Sequence, residues 1–204
     1  MKPGLGYRIA KRLLDISVAA LALILLSPLF ALLALLVKLT SRGPVFFHQK
    51  RAGLGGRPFV MLKFRSMRFD ADLRRRELEH RNEMDGPVFK MRRDPRITPL
   101  GRLLRRSSLD ELPQLVNVLL GQMSLVGPRP LPLDEARRLA PQHRRRHEVK
   151  PGMTGLWQVS GRNDLPYEEM MRLDLEYVER CSLWLDLRIL AATIPAVLTG
   201  RGAF

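Results

Sequence analysis

Residues 16–37, ISVAALALILLSPLFALLALLV, carry no charge over 22 positions, and Ser27-Pro28 interrupts them near the middle. As a straight helix this run would be about 33 Å long at ~1.5 Å per residue, enough to cross a ~30 Å hydrocarbon core. Proline removes a helical hydrogen bond and clashes with the preceding turn, so the run is expected to kink or break there. Both flanks are basic: Lys2, Arg8, Lys11 and Arg12 precede it, and Lys38, Arg42, Lys50 and Arg51 follow it. A spanning helix biases its Lys and Arg toward one side, whereas here both ends carry the same signal. A re-entrant helix-hairpin satisfies both facts. Its arms, 16–27 and 29–37, would reach roughly 18 and 14 Å, each too short to cross. The Ser27 hydroxyl is a candidate partner for backbone freed at the break. The competing reading is a kinked spanning helix; a cleaved signal peptide lacks its small-x-small site. Lys11 and Asp15, four residues apart, are expected to neutralise each other at the membrane boundary.

The 204 residues carry 35 Lys+Arg against 20 Asp+Glu, a net charge of +15. That excess calls for an anionic partner: nucleic acid, an anionic membrane surface or a phosphorylated substrate. Aromatics make up only 6% of the chain, which argues against a stacking platform for single-stranded nucleic acid. The single cysteine, Cys181, excludes an internal disulfide framework and a cysteine zinc site. The expected fold class is α+β and mainly helical. Residues 44–65 read as a β-hairpin around a Gly-rich turn, 70–83 as a charged helix, and 84–100 as a proline-broken loop. A helix is expected from Ser107 to about residue 120, opened by a Ser108-x-x-Glu111 capping box. Residues 124–130 and 150–162 read as loops, 133–147 as a basic helix and 167–181 as a helix. Residues 183–198 read as an apolar helix interrupted at Pro195. It is either a core helix or an amphipathic helix in the membrane interface, with Trp184 at the headgroups.

Several catalytic devices are absent, including a G-x-x-x-x-G-K-[ST] loop, H-E-x-x-H and a serine elbow. His143 and His147 have a metal-like i, i+4 spacing but sit in an arginine run, which reads as a solvated basic face. Asp70-Ala71-Asp72 has the D-x-D form of nucleotide-sugar glycosyltransferases, yet it opens a charged helix where acids complement the dipole. The strongest local signal is the adjacent pair Asp110-Glu111, with Arg102, Arg105 and Arg106 just upstream. Acids at a helix N-terminus can be simple dipole complements. In the functional reading, the helix end and arginines hold phosphate while one carboxylate attacks phosphorus and its neighbour holds a divalent cation.

An ordered set of motifs runs through the chain: Lys11-Arg12-x-x-Asp15, Ser27-Pro28, KFRSM at 63–67, DELPQL at 110–115, MSLVGPRP at 123–130 and KPGMTGLWQVSGR at 150–162. Together they resemble the bacterial sugar transferase family, the monotopic phosphoglycosyl transferases, from about residue 8 to 203. Within that family the chain looks like the minimal catalytic form. The resemblance implies an undecaprenyl-phosphate sugar phosphotransferase: sugar-1-phosphate passes from a UDP-sugar to undecaprenyl phosphate, UMP leaves, and exopolysaccharide or O-antigen assembly begins. It implies a two-step mechanism through a phosphosugar-aspartyl intermediate with Mg²⁺. Asp110 matches the nucleophile and Glu111 its partner, both implied for the metal. Arg105 matches an arginine that orients phosphate or ties the membrane helix to the site, and Arg129 matches a phosphate-binding arginine. Lys63, Arg65, Gln114 and the 152–162 loop, with Thr154 and Arg162, are weaker candidates for donor contacts, and Asp174 and Tyr177 match a later pattern without a role.

The same resemblance implies a re-entrant anchor over 1–40, with Lys11, Arg12, Asp15, Ser27 and Pro28 as its marks. It also implies a catalytic domain over 41–204 on the cytoplasmic face of the bacterial inner membrane. The basic excess then serves membrane lipids and phosphates rather than nucleic acid; a homo-oligomer is left open. Two alternatives remain: a membrane-anchored basic binding protein indifferent to loss of Asp110 and Glu111, and a D-x-D glycosyltransferase releasing UDP.

Overall fold

The computed structural model describes residues 4–200 and 202; Lys2 and the side chains of Asp72 and Arg76 lie outside the described residues. The apolar run forms two helices, α1 (Leu5–Leu25) and α2 (Ser27–Thr40), separated by Leu26 alone. Pro28 falls in the first turn of α2, where its missing N–H leaves no helical bond unmade. The Ser27 hydroxyl donates to the Ile24 carbonyl at 2.8 Å, as expected. No single described helix is long and apolar enough to cross a membrane, and the pair is bent by 64°. The bend is open because the hydrogen bonds from Leu26 N to Ala22 O and from Phe30 N to Leu26 O carry the ladder across the break.

Lys11 and Asp15 do not pair with each other. Asp15 is 3% exposed and accepts from Ser124 Oγ (3.0 Å) and Leu125 N (2.9 Å). Lys11 reaches Asp186 at 2.8 Å, and Arg12 donates to the carbonyls of Val118 and Leu119 at 2.6 and 2.7 Å. An exposed i, i+4 pair is worth only a few tenths of a kcal/mol, whereas a buried charge without partners costs far more. The long-range partners therefore win.

The expected hairpin is present as β1 (Phe46–Ala52) and β2 (Pro58–Phe64), antiparallel from Phe46 opposite Phe64 to Ala52 opposite Pro58. The charged helix is short: α3 (Ala71–Arg75) runs into a 3₁₀ segment, Arg76–Arg81. The expected loop gives way at its end to α4 (Pro99–Arg106). Thr98 caps α4 by accepting from Gly101 N at 2.9 Å, and Pro99 takes the first turn. A Cβ at Gly101 would lie 1.8 Å from the Ser66 carbonyl oxygen, so only glycine lets α4 rest on the segment that follows the hairpin.

The helix expected from Ser107 is broken in two. Ser108 has φ +57° and forms no capping bond, so there is no capping box. A 3₁₀ turn, Leu109–Glu111, leads to α5 (Gln114–Leu119). Two segments expected as loop pair as parallel strands, β3 (Ser124–Val126) and β4 (Gly152–Thr154). They approach so closely that a Cβ on Gly152 would lie 2.1 Å from Gly127 N. The basic helix breaks before Pro141 into α6 (Leu133–Arg137) and a 3₁₀ segment, Pro141–Glu148. The basic face is solvated only in part: Arg144 and Arg145 are exposed, whereas His143 and Arg146 are buried. The chain ends with α7 (Leu156–Ser160), α8 (Tyr167–Arg180) and α9 (Leu183–Thr199). Pro195 sits inside α9 without ending it.

One core cluster joins Ala19 of α1 to Met61, Leu115, Val118, Leu125, Tyr177 and Ile189. Asp186 and Ile189 turn α9 inward, while Trp184 is 71% and Leu198 81% exposed. Large apolar side chains along α1 and α2, among them Leu21, Ile24, Leu32 and Leu35, are exposed as well. Asp15→Ala strands the Ser124 hydroxyl and the Leu125 N–H inside the protein, a loss of about 2–3 kcal/mol. Thermal unfolding in detergent is expected to show Tm lower by roughly 5–10 °C; an unchanged Tm refutes the docking role of Asp15.

Candidate active site

The chain between α4 and α5 reverses sharply. Ser107 and Ser108 close the end of α4 with N–H bonds to the carbonyls of Leu103 and Arg105, both 3.0 Å. The left-handed backbone of Ser108 is unusual for a residue with a Cβ, and such strain tends to gather at functional sites. The reversal brings Arg105, on the last turn of α4, to the same cavity as Asp110 and Glu111. This cavity holds about 410 Å³. Its cations are Lys63 from β2, Arg105, Arg129 from the turn after β3, and Arg162. Its far wall is apolar and comes from α9: Leu190, Ala196 and Val197, with Thr193 among them.

Glu111 is held from two sides. Lys63 Nζ reaches Oε1 at 2.8 Å, and Arg129 grips both oxygens, with Nη1 3.1 Å from Oε2. Burial opposes ionisation of Glu111, but Arg129 and Lys63 outweigh it and hold the carboxyl well below its ordinary value. Asp110 differs. It is 4% exposed and its carboxylate accepts no hydrogen bond among the described residues. Burial raises its pKa, and the nearby Glu111 charge adds to that; Lys63, Arg105 and Arg129 hold back the rise. Two adjacent carboxylates thus have opposite environments, one clamped and ionised, the other desolvated and unengaged. Opposed pKa shifts in one cleft mark a functional site.

Arg129 is itself anchored. Arg146 donates to the Arg129 carbonyl at 2.7 Å and forms a buried ion pair with Asp174. The Tyr177 hydroxyl donates to Asp186 (2.7 Å) and lies 3.1 Å from Val126 O, bracing β3 against α9. Asp174 and Tyr177, whose roles the sequence left blank, therefore stand behind the site.

Of the residues singled out from sequence, Asp110, Glu111, Lys63, Arg105, Arg129, Thr154 and Arg162 all line this cavity. Thr154 shares a hydroxyl contact of 2.8 Å with Thr193 of α9, and Arg162 reaches Ser108 Oγ at 3.3 Å. Arg65 does not join them. Lying past the end of β2, it donates to the Pro44 carbonyl and to Ser41 O (2.7 Å) and Oγ (2.8 Å), tying the end of α2 to the hairpin. Gln114 is buried at 1% exposure and does not line the cavity either. Asp70 pairs with Arg74 at 2.6 Å on an exposed helix face, away from the cavity. His143 and His147 form no metal pair: His143 contacts the Tyr167 hydroxyl at 3.3 Å, and burial pulls His147 down to about 4. Sequence reading passed over the α9 wall and Asn163, whereas Trp157 and Gln158, which line the cavity, fall within the 152–162 loop it named for donor contacts.

The chain belongs to the bacterial sugar transferase family, whose model matches residues 6–200. It is an enzyme of the sugar-transferase class. It is 44% identical over 199 residues to the galactosyl transferase CpsE of Streptococcus agalactiae, covering 97% of this chain and 44% of that protein. It is also 44% identical over 199 residues to the exopolysaccharide production protein ExoY of Rhizobium meliloti, covering 96% and 88%. The UDP-glucose:undecaprenyl-phosphate glucose-1-phosphate transferase of Caulobacter vibrioides is 43% identical over 212 residues, covering 99% and 74%. The chain thus spans less than half the length of the first relative and most of the other two.

Because Glu111 has a depressed pKa in the fold, its stabilising effect is complete above the unfolded value of 4.5 and is lost as pH falls through the folded value. Thermal unfolding followed from pH 7 downward is expected to show Tm of the wild type falling below about pH 4.5. In Glu111→Gln that component of the fall should be missing and Tm at pH 7 lower. An acid profile parallel to wild type overturns the clamp.

Proposed function

We propose that this chain transfers a sugar-1-phosphate from a UDP-sugar to a polyprenol phosphate such as undecaprenyl phosphate, releasing UMP. The observation that carries the reading is the unengaged, buried Asp110 beside a Glu111 held by Lys63 and Arg129. In the first step an Asp110 oxygen attacks the phosphorus that bears the sugar; its bond to the bridging oxygen breaks, and UMP departs with that oxygen. In the second, an oxygen of the acceptor phosphate attacks the same phosphorus and the Asp110 carboxylate is released. The product is a polyprenyl diphosphosugar. Arg105, Arg129, Lys63 and Arg162 neutralise charge on the phosphates.

The donor set suits Mg²⁺. This ion keeps several waters and takes one or two carboxylates together with substrate phosphate. The described residues hold no cluster of three or more metal-ligating side chains, but Asp110 and Glu111 with a diphosphate would suffice. Mg²⁺ bound there would offset the negative charge of the diphosphate and of the leaving phosphate.

The apolar α9 wall of the cavity and the exposed apolar faces of α1, α2 and α9 support a membrane-bound acceptor. The basic flanks suit an anionic leaflet, which supports a seat on the cytoplasmic face of the bacterial inner membrane with α1–α2 re-entrant. The names of the relatives, which refer to UDP-glucose, undecaprenyl phosphate and exopolysaccharide, agree with this reaction.

The test is nucleotide release with Mg²⁺, undecaprenyl phosphate and a panel of UDP-sugars. UMP is expected from the wild type and none from Asp110→Asn; UDP as the product, or full activity in the variant, sinks the reading. Asp110 acts ionised, so the acid limb of kcat/KM should lie above the ordinary carboxylate value of 3.8. Lys63→Ala removes a charge that lowers the Asp110 pKa, and should move that limb to higher pH. Topology has its own measurement. Cysteines placed singly at positions 2 and 204 in a Cys181→Ser background should label from the same side of sealed vesicles, and opposite-side labelling rules out the re-entrant form.

A further inference from the structure

Behind Arg105 and Arg129 lies a second chamber of about 180 Å³, which shares these arginines and Trp157 with the catalytic cavity. Phe89, Lys90 and Glu135 line it as well. We propose that this chamber holds the sugar ring of the donor and selects which sugar is transferred. The proposal rests on the two-step reaction above and deepens it.

Stereochemistry comes first. Phosphoryl displacement places the attacking and leaving oxygens roughly in line. If Asp110 attacks in the first step, UMP leaves from the side opposite Asp110. In the second step Asp110 is the leaving group, so the acceptor phosphate must arrive from that same opposite side. UMP and the lipid phosphate therefore use one position in turn. The sugar oxygen lies off this line in both steps, and the sugar must stay bound while UMP leaves and the lipid enters. It needs a side compartment that neither of them crosses. The apolar α9 wall, with Leu190 and Val197, marks the lipid's side of the cavity. The chamber beyond the arginines is the compartment off that route.

Its chemistry suits a ring of hydroxyls. The hydrogen-bond partner of Lys90 Nζ among the described residues is the Met170 sulfur, 3.2 Å away, and a thioether is a weak acceptor. Burial pulls Lys90 down to about 8. Trp157 is 4% exposed and its indole N–H has no acceptor among the described residues. Buried donors without acceptors are uncommon and call for an explanation; hydroxyl oxygens of a pyranose would supply the acceptors. Lys90 lies over the Trp157 ring at 5.6 Å and Arg96 over the Phe89 ring at 5.2 Å, so the polar groups carry the recognition, and Glu135 can accept from hydroxyls beside its bond from Arg75 (2.9 Å).

The experiment compares wild type with Lys90→Met and Trp157→Phe. It measures kcat/KM for UMP release from UDP-glucose and UDP-galactose, which differ only at C4, and the inhibition constant of UMP. A site that hydrogen-bonds a hydroxyl discriminates strongly against a misplaced one. The ratio of the two donors should therefore shift by about tenfold or more in at least one variant, with UMP inhibition within about twofold of wild type. An unchanged ratio in both folded variants overturns the proposal. So does weakened UMP inhibition without a change of ratio, which would put the nucleoside in the chamber. If Lys90→Met fails to fold, Trp157→Phe, which removes the indole N–H and leaves a smaller aromatic ring in its place, decides alone. Absence of UMP from the wild type with every UDP-sugar tried is a distinct result: it removes the reaction itself, and the chamber assignment with it.

Discussion

The ion cluster at Glu111 is the interaction on which the site depends. Its three members come from distant parts of the chain: Lys63 from the hairpin, Glu111 from the turn between two helices, and Arg129 from the turn after a short parallel strand. Each charge is partly removed from water, so each requires the others; an unpaired charge there would be expensive. The cluster therefore fixes where three elements meet. It also settles which of two adjacent acids is free. With Glu111 engaged on both oxygens, Asp110 is left desolvated and without a hydrogen bond, the condition a carboxylate nucleophile needs. Arg146 and Asp174 extend the same logic outward by holding the backbone of Arg129.

A second set of buried charges joins the apolar helix to this framework. Asp15 reaches β3, Arg12 closes the end of α5, and Lys11 meets Asp186 together with the hydroxyls of Tyr7 and Tyr177. The basic residues before the apolar run therefore do more than add surface charge. They attach α1 to the elements carrying the cavity, and α9, gripped through Asp186, supplies the cavity's apolar wall. The same helices carry the exposed apolar faces proposed to meet the membrane, so the proposed membrane contact and the site share a scaffold.

What could be read from sequence had local causes. The hairpin followed from β-prone residues around a Gly-rich turn, α8 from a helical pattern, and the break in the apolar run from a proline acting on its own neighbours. Most candidate residues also proved to share one cavity. The errors had distant causes. β3 and β4 are three residues each and are strands only because glycines 127 and 152 let them touch. The Ser108 capping box fit the local pattern, but the turn that joins α4 to α5 bends the backbone into a left-handed form. Arg65 carried the charge of a phosphate ligand, yet the unsatisfied carbonyls at the end of α2 claimed it.

The sequence by itself determined the broken apolar run with its basic flanks, the small hairpin, the mainly helical character and the Asp110-Glu111 pair. Those properties rest on neighbouring residues, on backbone sterics and on composition. Tertiary structure alone decided that Lys11 and Asp15 part company, that Glu111 is clamped while Asp110 stays unengaged, and that α9 walls the cavity. Each of these outcomes is a choice between partners. A buried charge takes the partner that the fold brings to it, and that partner lies up to 175 residues away, as Asp186 does from Lys11.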